Sequence, residues 1–168
     1  NNGRITTSLP GRGLLTISLE TSNDTGTRAP DPVQVVLLAG QSNMDGNVPI
    51  AMLPPEFRQP PANVSLMDRG QPARIAGGRF FGPEVGFAAA VVAARPSDDF
   101  LLVKRAMGGT SLAGWAPQWD ESRLASKYDT AAGPIYSKLL DDYAAAIKGR
   151  PARLTGVLRE AAKDMGIG

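Results

Sequence analysis

The sequence predicts an α/β fold, a three-layer αβα sandwich in which helices cover both faces of a mostly parallel sheet. Three observations predict it. The run Val33-Gln34-Val35-Val36-Leu37-Leu38-Ala39 is apolar almost without a break, the habit of strands buried on both faces. Phe100-Leu101-Leu102-Val103-Lys104 repeats that pattern. Two segments of helical character, 83–95 and 134–148, fall between and after these strands, so the element types alternate along the chain.

Taken in order, residues 1–32 read as a leader strand and a polar linker. Gly13-Leu14-Leu15-Thr16-Ile17-Ser18-Leu19-Glu20 has the partly alternating, β-branched pattern of a strand, at the edge of the sheet or in the tail of another domain. Residues 21–32 are rich in Ser, Thr, Asn, Asp, Gly and Pro, as linkers are. From residue 33 to 168 the chain reads as one domain. Its first strand, 33–39, is closed by Gly40, and Asn63-Val64-Ser65-Leu66-Met67-Asp68 is a weaker second strand. The helix over 83–95 starts with Pro83 in the favoured first turn, carries Glu84 as its only charge before Arg95, and is stopped by Pro96. A helix so apolar must lie against a sheet. The third strand is 100–104. The helix over 134–148 places Ile135, Leu139, Tyr143 and Ile147 four residues apart on one face, and Gly149 ends it. Arg153-Leu154-Thr155-Gly156-Val157-Leu158 is a fourth strand, and 159–165 starts a further helix.

Composition narrows the function classes. A chain of 168 residues with 42% hydrophobic and 20% charged residues suits one globular domain, and no apolar run reaches the roughly 20 residues of a spanning helix. No membrane insertion is expected. The net charge is +2, with Arg and Lys scattered, so the basic stripe of a nucleic-acid binder is missing. There is no cysteine, hence no disulfide framework and no thiolate metal site. There is no histidine, which removes the commonest general base and the commonest metal ligand together. No cofactor and no metal are expected. The first ten residues lack a basic region followed by an apolar stretch, so no signal peptide is visible. Asn23-Asp24-Thr25 and Asn63-Val64-Ser65 fit the glycosylation sequon, a triplet common by chance.

Chemistry concentrates after the first strand, in Leu38-Ala39-Gly40-Gln41-Ser42-Asn43-Met44-Asp45-Gly46. Ligands of open α/β sheets bind beyond the carboxyl ends of the strands, where Ser42 falls. A turn or helix starting after Gly40 would leave the N–H groups around Ser42 and Asn43 free to face an oxyanion. Two rival motifs fail. A phosphate-binding loop needs a lysine and a hydroxyl after its second glycine, and a Gly-x-Ser-x-Gly elbow needs glycine where Met44 stands. A plain Ser-Asn-Asp-Gly connecting turn is the remaining alternative.

The string Gly-Gln-Ser-Asn-Met-x-Gly resembles the first block of the sialate O-acetylesterase and acetylxylan esterase branch of the SGNH hydrolases. Phe81-Gly82-Pro83-Glu84 resembles the second landmark of that family, and Lys104-Arg105-Ala106-Met107-Gly108-Gly109-Thr110-Ser111-Leu112 with Trp115 the third, in the same order. The resemblance implies a flavodoxin-like sheet and a serine carbohydrate esterase acting on acetylated sugars. It implies Ser42 as nucleophile, with its own N–H and that of Gly109 as oxyanion donors. Gln41, Asn43 and Glu84 would brace the loop, Glu84 alternatively stabilising a helix dipole or touching substrate. Gly108 belongs to the glycine pair. Thr110 and Trp115 would line the pocket mouth, a core position being the alternative for the tryptophan. By analogy the location would be extracytoplasmic; the oligomeric state is open.

The resemblance breaks near the end. The family carries a third oxyanion donor in a Trp-x-Gln-Gly-Glu stretch after a strand like 154–158, and a histidine base after an aspartate. Here Arg159-Glu160-Ala161-Ala162-Lys163-Asp164-Met165-Gly166 follows instead, so the C-terminal part of the domain is missing from this chain. A serine without a base is a poor nucleophile. Lys104 as a base is disfavoured by its place on a buried strand, ahead of the glycine pair. Two functions therefore stand: an esterase recorded incompletely, or a non-catalytic domain that binds acylated carbohydrate or a partner. Ser42 beside an oxyanion donor favours the first, the absent histidine the second, and an Asp-x-x-His stretch beyond residue 168 would discriminate them.

Overall fold

A computed structural model describes residues 3–9, 13–19, 31–124 and 126–159. The leader strand has a partner that its pattern did not announce: β1 (Gly3–Leu9) and β2 (Gly13–Leu19) form an antiparallel two-stranded sheet of their own. Most of the polar linker, with the first sequon, lies outside the described residues.

The main sheet grows from β3 (Val33–Gly40). After β3 come the one-turn helix α1 (Ser42–Asp45), the short β4 (Val48–Pro49), then β5 (Val64–Asp68) and β6 (Gln71–Ala73). The strand β7 (Phe80–Phe81) pairs with β4, and the helix α2 (Glu84–Ala94) leads to β8 (Phe100–Ala106). The helices α3 (Lys127–Ala132) and α4 (Ile135–Ile147) precede β9 (Ala152–Arg159). The five-stranded order is β6-β5-β8-β3-β9, parallel throughout except for β6, which is antiparallel to β5.

Why β3 is apolar on both faces is visible in its neighbours. Val36 and Leu38 pack with Leu102 of β8 and with Val85, Phe87, Ala88 and Val91 of α2. Val35, Leu37 and Ala39 pack on the other face with Leu101, Val103 and, from α4, Leu139 and Ala146. The period-2 alternation of a strand thus divides one run of residues between two helical layers. The chain is an α/β sandwich with a mixed, mostly parallel central sheet.

Three boundaries depart from expectation for identifiable reasons. In α4 the buried positions are Ile135, Leu139, Asp142 and Ala146, so the stripe turns one residue away from Tyr143 and Ile147, which are half-buried. Asp142 is drawn inward by Arg105 on β8, whose guanidinium donates to both carboxylate oxygens at 2.6 and 2.9 Å. The fourth strand runs on through Arg159, which pairs with Ala39, where a helix was expected to start; residues 160–165 of that helix lie outside the described residues. The hairpin from β5 to β6 was not anticipated. Its two central residues, Arg69 and Gly70, have φ of +50° and +77°, the left-handed pair of a type I′ turn, and arginine in place of Asn or Asp hides the signal.

Candidate functional site

The sheet itself makes the crevice. From β3 the chain travels outward to β5, returns to β8 beside β3, then crosses to β9 on the far side. Strand order therefore reverses at β3, and ligands of open α/β sheets bind at the carboxyl ends of such strands. Ser42 begins α1 two residues past the end of β3.

The turn after β8 comes back against this helix. Met107 N–H donates to Gly40 O at 3.2 Å, and a Cβ placed on Gly108 would lie 3.6 Å from the Cβ of Ser42, ordinary van der Waals contact. The next residue, Gly109, has φ of +80° and is exposed. The N–H groups of Ser42 and Gly109 are without an acceptor among the described residues, while that of Gly108 donates to Asp45 Oδ2 at 3.2 Å.

A polar network holds the two turns together. Asp45, at the end of α1, pairs with Arg69 through its other oxygen. Arg69 in turn donates to Ala106 O from Nε at 3.2 Å and from its terminal nitrogen at 3.0 Å. Beneath this, Lys104 Nζ donates to Asp45 O at 2.9 Å and to Glu84 Oε2 at 2.8 Å, while Glu84 Oε1 accepts from Gly82 N–H at 2.9 Å. Lys104 and Glu84 are 3% and 5% exposed. Asp68, at the carboxyl end of β5, completes the group. Burial pushes its carboxyl above the usual range near 3.8, Lys104 and Arg69 oppose the shift, and Asp45 and Glu84 add to it. Its Oδ1 is buried with no hydrogen-bond partner among the described residues.

This geometry sorts the residues named from sequence. Ser42 and Gly108 come together, and Gly109 is the next residue on the same turn. Gln41 stands at the N-cap of α1, where its carbonyl accepts from Asp45 N–H at 2.7 Å, and Asn43 is exposed on that helix. Glu84 is buried, its oxygens accept from Lys104 and Gly82, and it braces the second landmark against β8. Thr110 does not line the mouth: it is buried, and its hydroxyl donates to Met107 O at 2.8 Å within the turn. Trp115 is half-buried and packs against the margin of the cluster that α4 covers. Lys104 cannot act as a free base, since its ammonium is spent on Glu84 and Asp45. The second sequon is occupied as well, for Asn63 Nδ2 donates to Pro96 O at 3.3 Å and Asp98 O at 2.7 Å.

Sequence reasoning missed four contributors. Asp45 and Arg69 had no pattern to mark them. Tyr128 on α3 is exposed, with its ring against Gly109: a Cβ on that glycine would meet Tyr128 Cδ2 at 2.5 Å. Asp129 is fully buried and clamps the loop after Gly109, accepting from Ser111 N–H and Oγ, each at 2.7 Å, and from Ser126 N–H at 3.0 Å. Its signal was readable, because Ser126-x-x-Asp129 is a capping box at the start of α3. Among the described residues no cluster of three or more His, Cys, Asp or Glu could hold a metal, and no helix is long and apolar enough to cross a membrane.

Comparison with known proteins bears on the family and the fold. Residues 32–159 match the family model described as carbohydrate esterase, sialic acid-specific acetylesterase. Among solved structures, a protein from Arabidopsis thaliana superposes with a TM-score of 0.57 at 22% identity, over 77% of this chain and 57% of that one. NanS superposes with a TM-score of 0.53 at 18% identity, over 79% of this chain and 54% of that one. The chain therefore spans a little over half the length of these structures. No curated protein sequence matches it.

Proposed function

The chain belongs to the sialic acid-specific acetylesterase family of carbohydrate esterases, and from that premise we propose that it carries the nucleophile half of a serine esterase that releases acetate from O-acetylated sugars. Ser42 Oγ attacks the acetyl carbonyl carbon, and the carbonyl oxygen, as it becomes an oxyanion, accepts from the N–H groups of Ser42 and Gly109. Such donors act because they already point where charge develops. Collapse of the tetrahedral intermediate expels the sugar hydroxyl and leaves acetyl-Ser42, which water then hydrolyses.

The approach of Gly108 to Ser42 supports this reading most. A turn that merely joined a strand to a helix would not need a second turn packed on its serine. The proton of Ser42 must pass to a base. None of the 168 residues is histidine, and Lys104 and Asp45 are already engaged, so the mechanism requires a base from elsewhere in the full-length gene product. The absence of a base favours the second reading, a domain that binds acylated sugar without cleaving it.

The test is acetate release from a panel of acetylated sugars, sialate and xylan types included, by the full-length gene product and its Ser42→Ala variant. Loss of a nucleophile costs about a million-fold in a serine hydrolase, so the variant should be inactive. A fluorophosphonate should label Ser42 alone. Full activity in Ser42→Ala would end the nucleophile assignment, and binding of acetylated sugar without turnover would decide for the second reading.

A further inference from the structure

Gly108 spends its N–H on Asp45, and that bond sets where the next N–H, of Gly109, can point. We propose that Asp45 is a positioning residue for the oxyanion donors, with Arg69 as its built-in counter-charge; this rests on Ser42 and Gly109 acting as proposed above. Asp45 occupies the variable position of the Gly-Gln-Ser-Asn-Met-x-Gly string, and nothing in the family resemblance assigns it a role.

Geometry carries the inference. The two donors sit on separate turns, one after β3 and one after β8, and oxyanion stabilisation needs both at hydrogen-bond distance from one oxygen. Strand pairing aligns the turns only as far as Gly40 opposite Ala106. Past that point Met107 N–H still reaches Gly40 O, and the carboxylate of Asp45, which leaves α1 three residues after the serine, accepts the N–H of Gly108. Arg69 fixes the carboxylate from the other side. Its guanidinium pairs with Asp45 and also donates twice to Ala106 O, the last carbonyl of β8, so one cation anchors the carboxylate to the strand beneath. Arg69 does so from a backbone with φ of +50°, a conformation costly for a residue with a Cβ, held by its own N–H to Lys104 O at 2.9 Å. Below them, Lys104 ties the carbonyl of Asp45 to buried Glu84. Main chain and side chain of Asp45 are thus fixed separately, an arrangement that a surface helix end does not need.

Asp45→Ala would free the glycine turn without removing a donor. A displacement of about 1 Å at a reacting centre costs on the order of a hundredfold. In the full-length gene product, Asp45→Ala should lower kcat about tenfold to a hundredfold with KM changed less than about threefold, since the donors matter chiefly in the transition state. Affinity for an alkylboronic acid, which forms a tetrahedral anion on a serine, should fall in parallel with kcat/KM. Arg69→Ala should give a smaller loss in the same sense, and the double variant should cost no more than Asp45→Ala alone, because the two act as one unit. Asp45→Asn, which keeps an acceptor for Gly108, should recover part of the loss, whereas a purely structural role would show as a lowered melting temperature with boronate affinity intact. Unchanged kcat in folded Asp45→Ala, a loss confined to KM, or strict additivity of the two variants would each overturn the proposal. A wild-type protein that neither hydrolyses acetyl esters nor takes a fluorophosphonate on Ser42 would overturn the esterase reading first and this inference with it.

Discussion

At Gly109 two independent demands meet: φ of +80° and a tyrosine ring where a Cβ would stand. An L-residue in the left-handed region costs about 1–2 kcal/mol. Gly109→Val should therefore lower the stability of the protein by at least that amount in urea titrations as well as remove esterase activity of the full-length product, by roughly 100-fold or more. The Tyr128 ring must move aside to admit the new side chain, which adds to the cost of the left-handed backbone. Adding Tyr128→Ala should restore the part due to contact and none of the activity. Asp68 offers a pH-dependent test. Burial raises its carboxyl above the ordinary range near 3.8 in the folded state, so the stability it contributes is full below that range and is lost as pH rises through the folded value. Asp68→Asn should accordingly melt higher than wild type at pH 7, with the gap closing toward pH 4. A gap that widened in acid would mean that the cations beside Asp68 outweigh its burial.

Among the elements, β8 and the start of α2 are joined by a buried ion pair. Lys104 and Glu84 are both buried, and removing one partner of such a pair costs about 3–5 kcal/mol because the other is stranded. Lys104→Met should show that loss in urea unfolding, and Lys104→Met with Glu84→Gln should regain most of it. The same region shows what a sequence discloses and what it withholds. The strands 33–39 and 100–104 and the helix over 83–95 were legible because elements buried on several sides leave unbroken apolar runs, and the helix over 134–148 because one buried face leaves a stripe. Ser42 and the glycine pair were legible as a resemblance of strings. Asp45, Arg69 and Glu84 joined to Lys104 were not, since their partners lie 20 to 63 residues away and a charged residue looks the same whether solvated or paired. Thr110 and Trp115 were assigned to the mouth from the family resemblance, yet the turn buries the Thr110 side chain and leaves Trp115 half-buried against the α4 cluster.

For the molecule as a whole, β3 is the axis: it has a strand on each side and a helical layer on each face. Amides of Val35 to Leu38 and of Leu101 to Val103 should exchange with deuterium only through global opening, while those of β4 and β7 exchange far sooner. Equal exchange across these strands would mean that the sheet is not one cooperative unit. The edge strand β9 meets β3 through a register shift between Val35 and Val36, where Thr155 is the extra residue and its hydroxyl donates to Val35 O at 3.0 Å. Those two residues are 120 apart along the chain. Closing so long a loop is entropically slow to repay, so the pairing of β9 should fall on the native side of the rate-limiting barrier. Leu158→Ala should then speed unfolding and leave the refolding rate nearly unchanged, whereas Leu102→Ala should slow refolding. During synthesis, the turn that carries Ser42 and the glycine turn can face each other before the ribosome has released β9, the strand that pairs with the other edge of β3.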